Sequence, residues 1–361
     1  MITREEINRI LSRYDLKELS IGTLGSHSAL NIFKGAKEEG FKTVCICKER
    51  DAILYRKFAL ADETILVKDF SDVLNADLQK KLRQLNTVLV PHGSFTAYIS
   101  TEQIIDNLHV PIFGNRELLH WEASRERQKE WLSKAGLKLP QTFEKPEEID
   151  ALTIAKLPGA RGGKGYFLSS SPESFYKKAE EMVRRGLLSK EDVSKIHLQE
   201  YVLGVNVYPH YFSSIINDDV EFFGVDKRYE SSVDSLSRIP ASEQLELGIS
   251  PSYTVVGNIP ITLRESLLPE LIRIGDNLME ASKEIAHPGI IGPFCLETVI
   301  TDNLEIYAFE ISARIVAGTN VGIGTSPYAY LKYGENMFMG KRIALEIKQA
   351  AKQEKLQEIM T

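Results

Sequence analysis

Thr153-Ile154-Ala155-Lys156-Leu157-Pro158-Gly159-Ala160-Arg161-Gly162-Gly163-Lys164-Gly165 joins a short apolar strand to a loop with four glycines and two cations in eight residues. Glycine lets backbone N–H groups approach phosphate oxygens with no side chain in the way, while Lys156, Arg161 and Lys164 supply positive charge. The stretch reads as a lid over nucleotide phosphates; the plainer alternative is a Gly-rich hairpin with solvated cations. It is not a Walker loop, because no Gly-Lys-Ser/Thr follows at the required spacing, and it is not the dinucleotide fingerprint of a first strand.

Downstream, the same block (121–205) closes on Gln199-Glu200-Tyr201-Val202-Leu203-Gly204, having opened with a charged helix expected over 121–135. A third block, 206–361, begins with antiparallel-looking strands at 207–212 and 221–225. Its chemistry lies in Gly292-Pro293-Phe294-Cys295-Leu296-Glu297 and in Leu304-Glu305-Ile306-Tyr307-Ala308-Phe309-Glu310-Ile311-Ser312-Ala313-Arg314. The Asp302-Asn303 turn between them makes the two strands antiparallel neighbours, so Glu297 and Glu310 can converge. An unpaired carboxylate among residues such as Phe294, Leu296 and Phe309 would be costly, whereas two hard oxygen ligands completed by nucleotide phosphates suit Mg2+. Glu305 is read as a solvated outer-face acid. Arg314 is placed to neutralise charge on a transferring phosphoryl group. The segment 340–359 is an amphipathic helix expected on the outside.

Upstream, residues 1–120 alternate strand and helix. Strands are expected at 19–24, 41–47, 65–67 and 87–90, with a further candidate at 110–114, and a helix at 29–39 follows the Gly25-Ser26-His27-Ser28 turn. Such alternation indicates a parallel sheet with ligand loops at the carboxyl ends of its strands. The 361 residues are 43% hydrophobic, enough for two or three domains with real cores. A net charge of -6 gives no general basic field, so nucleic acid is not an expected partner. Cys45, Cys47 and Cys295 are too few for a disulfide framework and read as reduced core residues. The opening MITREEINRI is charged and helical rather than a signal peptide, and no apolar run reaches bilayer length, so the expected location is the cytoplasm with no membrane partner.

Together the lysine strand with its glycine-rich lid, the 199–202 hinge and the paired glutamates resemble the ATP-grasp fold. The expected architecture is α/β, with α+β character in the ATP-binding part: an ATP-grasp fold preceded by a Rossmann-like parallel-sheet domain. Its blocks are 1–120 on the ribonucleotide side, 121–205 as the lid subdomain and 206–361 as the subdomain with the metal site. Gly25-Ser26-His27, Pro91-His92-Gly93-Ser94, Pro158-Gly159-Ala160-Arg161-Gly162-Gly163, Asp226-Lys227-Arg228-Tyr229-Glu230, Gly257-Asn258-Ile259-Pro260 and Ser312-Ala313-Arg314 carry a closer likeness. Over nearly the whole chain and in one order, they resemble the archaeal formate-dependent 5-formaminoimidazole-4-carboxamide ribonucleotide (FAICAR) synthetases of purine biosynthesis.

That resemblance implies ATP and Mg2+ (or Mn2+) as cofactors, with formate and 5-aminoimidazole-4-carboxamide ribonucleotide (AICAR) as substrates. It implies a homo-oligomer, a hexamer being the suggested order. By likeness His27, Ser94 and Asn258 contact the ribonucleotide. Lys156 with Gly159, Arg161, Gly162 and Gly163 covers the ATP phosphates, Glu200, Tyr201 and Val202 lie at the adenine edge, and Glu230 also binds ATP. Glu297 and Glu310 match the metal ligands, and Arg314 and Lys156 serve catalysis. His92 and His210 are read as structural, and Arg228 has no role beyond positive charge near phosphate. The implied reaction passes through formyl phosphate, which the amine of AICAR attacks. Two alternatives stay open: the same machinery joining another small acid to an amine, and a non-catalytic nucleotide-binding regulator.

Overall fold

Strand β1 (Ser20–Leu24) is buried along its whole length and lies at the centre of a parallel sheet, as expected for a strand covered on both faces. Its neighbours are β2 (Lys42–Cys47) and β4 (Thr87–Leu89), and β3 (Glu63–Leu66) pairs beyond β2, giving the order β3-β2-β1-β4. The chain leaves β1 toward β2 on one side and returns to β4 on the other. That reversal opens a crevice at the carboxyl ends of β1 and β4, between residues 25–28 and 91–94. The structure is a computed structural model and describes residues 1–157, 166–231, 233–247, 254–322 and 327–361.

A second sheet, β5-β8-β6-β7, is antiparallel and built from β5 (Thr142–Phe143), β6 (Thr153–Lys156), β7 (Tyr166–Ser169) and β8 (His197–Glu200). The helix Pro172–Arg184 covers one face through Phe175 and Ala179, which join Ala155 and Phe167 in a small core. Alternation along β6 then turns Ile154 and Lys156 to the opposite face.

The third sheet, also antiparallel, has the order β11-β10-β9-β12-β13: β9 (Val205–Ser214), β10 (Asp219–Glu230), β11 (Val255–Pro260), β12 (Gly292–Ile300) and β13 (Ile306–Ser312). The helix Leu268–Ile285 packs Leu271, Ile274 and Leu278 into one core with Tyr211 and Phe294, whose rings stack 4.8 Å apart. The expected helix at 121–135 is two helices, Arg116–Glu122 and Arg125–Lys134. Ser124 breaks the run by capping the second with its hydroxyl, and Trp131 and Leu132 bury in the core of this third sheet.

The expectation for the last helix is overturned. Met339–Lys352 does not lie outside; it is wedged between the third sheet and the helix Ala29–Glu38 of the first. Its approach is close enough that a Cβ on Gly340 would stand 1.9 Å from the Asn31 carbonyl oxygen, so only glycine fits there. Arg342 and Glu346 can be buried because Arg342 bonds both Glu346 and Glu221, Nη1 donating to Glu346 at 2.9 Å and Nε to Glu221 at 3.1 Å. The candidate strand at 110–114 makes only isolated bridges, Ile112 to Leu89 and Phe113 to Met360. No helix among the described residues is long and apolar enough to cross a membrane.

Candidate functional site

A cavity of about 390 Å³ opens between the second and third sheets. Ile154 and Lys156 of β6 form its roof, residues 199–204 its back, and Asn206, Tyr208, Arg228 and Glu230 its floor. The roof thus holds the lysine singled out above. Lys156 Nζ donates to Gln199 Oε1 at 2.7 Å, and burial together with Arg125 lowers its pKa against the opposing pull of Glu310 and Glu297. The Glu200 carboxylate accepts from the Gln141 N–H at 3.1 Å. Gly204 lies tight on β12, since a Cβ there would be 2.4 Å from the Ile300 carbonyl oxygen. Gly159, Arg161, Gly162 and Gly163 lie outside the described residues.

On the same sheet Glu297, half-buried, and Glu310, exposed, are register partners on β12 and β13. A bulge makes this possible. The register shifts after Glu297 so that Thr298 pairs with Ala308, which leaves Phe309 as the extra residue. Ala308 then faces the core while Phe309 lines the cavity and Glu310 meets Glu297 across the strand pair. Two carboxylates facing each other across a strand pair resist joint ionisation: Glu297 above all raises the Glu310 pKa to about 7, against Arg228 and Arg314. Glu297 is already engaged by the Arg228 guanidinium, which lies 4.1 Å over the Tyr208 ring. Hard oxygens from two acids, with no third His, Cys, Asp or Glu joining them among the described residues, suit a cation that takes its other ligands from phosphates and water. Glu305 is paired with Lys138 on the surface at 2.5 Å, as its solvated reading required.

The end of β13 carries the chain out of this cleft and into the crevice of the first sheet. Ile315 bridges to His92, and Ser28 Oγ donates to the Val316 carbonyl at 2.9 Å. Arg314 stands at the seam. Its Nη2 is 2.6 Å from Glu122 Oε1, and its Cζ lies 3.6 Å from where a Cβ on Gly93 would be. Across the crevice His27 sits at a positive φ of 34° with its ring edge-on to His92 at 6.1 Å. Burial and then Arg314 lower the His27 pKa. His92 is fully buried and neutral, its pKa lowered to about 3 by burial; Nε2 bonds the Leu24 carbonyl at 2.8 Å and Nδ1 accepts from the Ser94 N–H at 3.2 Å. It is a structural cap, as expected. Two buried polar atoms at this seam, Ser94 Oγ and Arg314 Nε, have no hydrogen-bond partner among the described residues.

Asn258, on β11, donates its amide to Asp226, whose other oxygen bonds His210. Both Asp226 and His210 are buried. Burial opposes the His210 charge, but Cys295 and Asp226 outweigh it and raise its pKa to about 10. Asn206 and Tyr208 are not among the residues expected from the sequence, although polar residues at 206, 208 and 210 alternate on one face of β9 and form a row toward the cleft. Asp226 stands in the 226–230 segment that carries the resemblance, without a role of its own, and Glu122 left no signal.

Matches to known proteins agree in kind. Residues 21–143 match the family model described as "Protein of unknown function (DUF1246)" and residues 174–361 the "Domain of unknown function (DUF1297)". The 5-formaminoimidazole-4-carboxamide-1-(beta)-D-ribofuranosyl 5'-monophosphate synthetase of Archaeoglobus fulgidus is 53% identical over 357 residues, covering 99% of both chains. The chain belongs to this synthetase family. It is therefore a ligase, and its fold is shared with the crystal structure of an IMP biosynthesis protein PurP from Thermococcus kodakaraensis (TM-score 0.74, 30% identity, 94% of this chain and 100% of that one). N5-carboxyaminoimidazole synthetase from Staphylococcus aureus, complexed with ADP, shares the ATP-grasp fold at a TM-score of 0.57 and 18% identity over 84% of this chain and 73% of that one.

Proposed function

We propose that this chain is an ATP- and formate-dependent ligase that formylates AICAR to FAICAR, releasing ADP and phosphate, in IMP biosynthesis without folate. The observation that carries this reading is the seam: one strand end runs from Glu310 through Arg314 to the His92 bridge, joining the nucleotide cleft to the crevice. ATP lies in the cleft with its adenine against the backbone of 200–202, Glu230 also contacting the nucleotide. Lys156, with the 158–165 lid, meets the phosphates. Glu297 and Glu310 would hold Mg2+ (or Mn2+), which when bound neutralises charge on the phosphate oxygens. AICAR lies in the crevice against His27 and the Ser94 hydroxyl, its phosphate near the amino end of Ala29–Glu38 and its far side against Asn258. Asp226 takes the Asn258 amide N–H, so Asn258 offers its oxygen to a donor on the ligand.

A formate oxygen attacks the γ-phosphorus, the bond to ADP breaks, and formyl phosphate forms beside Arg314. The AICAR amine then attacks the formyl carbon, loses a proton, and phosphate leaves with one oxygen that came from formate. The chain supplies no covalent nucleophile; it aligns the two reactants and keeps water from a labile acyl phosphate. The reading carries with it the homo-oligomer and the cytoplasmic setting that the resemblance implied. Oxygen-18 formate, MgATP, AICAR and enzyme, without folate, test it by mass spectrometry of the phosphate. Label in phosphate together with FAICAR is expected. FAICAR with unlabelled phosphate overturns the acyl-phosphate route, and ADP release that requires a different acid overturns formate.

A further inference from the structure

We propose that Glu122 is a positioning residue of this ligase, holding the Arg314 guanidinium at the seam between cleft and crevice. The inference rests on the reading just given for the reaction. Glu122 ends the helix Arg116–Glu122 and is only 7% exposed. Its carboxylate is divided between two donors. Oε1 takes Arg314 Nη2 at 2.6 Å, and Oε2 takes the Ala313 N–H at 2.9 Å.

The second bond belongs to a pattern. β13 is an edge strand, so alternate N–H groups along it have no neighbouring strand to accept them. At Ile311 the acceptor is Gln128 Oε1, at 2.9 Å, and at Ala313 it is Glu122. Gln128 also donates to the Glu122 carbonyl at 2.5 Å, so the two helices form a jig around the end of β13. A neutral amide suffices for this work at Ile311. The charge at position 122 therefore needs a further reason, because a buried carboxylate is costly unless it is paired. Arg314 supplies that reason.

A guanidinium is a rigid planar fork: held along one edge by Glu122, it can present its remaining N–H groups in a fixed direction. Arg314 Nε is buried with no hydrogen-bond partner among the described residues, and the guanidinium also lies against the turn at Gly93, where the ribonucleotide crevice begins. A lysine, or an arginine without its carboxylate, would meet the transferring group in many orientations. Pre-set orientation acts on the rate of the chemical step more than on the binding of either substrate.

Glu122→Gln tests this, because it keeps an acceptor for Ala313 and removes the charge. The expected result is a kcat for ADP and FAICAR formation lowered by about 10²-fold, of the order that misplacing a reacting group costs, with KM for ATP and AICAR little changed. Glu122→Asp, which keeps the charge, should recover part of the loss. In an Arg314→Ala background Glu122→Gln should cost nothing more; an equal further loss there would mean that Glu122 only supports the strand edge and would overturn the proposal. A crystal structure of the Glu122→Gln protein gives a readout independent of substrate: Arg314 should leave its place beside Gly93 while the β13 backbone stays. An unmoved Arg314, or a variant turning over as fast as the wild type, overturns the inference. A wild-type enzyme that makes no FAICAR overturns the reaction assigned above, and the crystal structure still decides the role of Glu122.

Discussion

Glu297 and Glu310 confront each other as like charges, and Arg228 sits on the first of them. Removing either charge relieves repulsion but removes a hard ligand. Glu297→Gln and Glu310→Gln should therefore each abolish ADP formation, the thermal midpoint holding or rising in Glu310→Gln and falling in Glu297→Gln, which strips Arg228 of its partner; activity within about tenfold of wild type in either would refute the metal assignment. His210 permits a stability test with a definite sign. Its folded pKa, about 10, stands above its ordinary value of 6.5. The stabilisation it contributes is complete below pH 6.5 and is lost as pH rises through 10. The fall in thermal midpoint between these limits should be shallower in His210→Gln; parallel curves would show that the imidazole is not charged in the fold. The two glutamates were legible as residues because an acid within an apolar strand signals a cost that something must repay. The Arg228 partner was not legible, since it comes from another strand 69 residues away.

At the scale of elements, the contact between Ala29–Glu38 and Met339–Lys352 is the least tolerant. A methyl group at Gly340 would collide with backbone rather than with a side chain that can swing aside. Gly340→Ala should lower stability by about 1–3 kcal/mol, the usual cost of overpacking, and denaturant midpoints at unchanged slope would measure it. An unchanged midpoint would mean that the helices part without cost. By sequence alone this helix belongs outside for a physical reason: Arg342 and Glu346 look like a solvated face until Glu221 of β10 meets Arg342. The bulge at Phe309 was equally hidden. Strict alternation would put Ala308 and Glu310 on the same face, and only pairing with β12 reveals the extra residue.

In the whole molecule the cleft and the crevice are separate sites that touch at one seam. His27 stands at the end of β1, and it is not among the residues that line the cavity between the second and third sheets. His27→Ala should weaken AICAR binding about tenfold or more, the loss of one charge-assisted or hydrogen-bonding contact, and leave ATP binding nearly unchanged in calorimetry. Equal losses of both affinities would refute the two-site layout.

Local sequence is enough for the parallel strand and helix alternation of residues 1–120, the lysine strand before the glycine-rich loop, and the antiparallel strands bearing Glu297 and Glu310. These follow from periodicity and local chemistry, which act over a few residues. Only the tertiary structure decided which face Glu310 takes, what holds Arg228 and Arg314, and that the last long helix is interior. Each of these depends on distant segments meeting, as Arg314 and Glu122 do across 192 residues, and no local pattern encodes such a meeting.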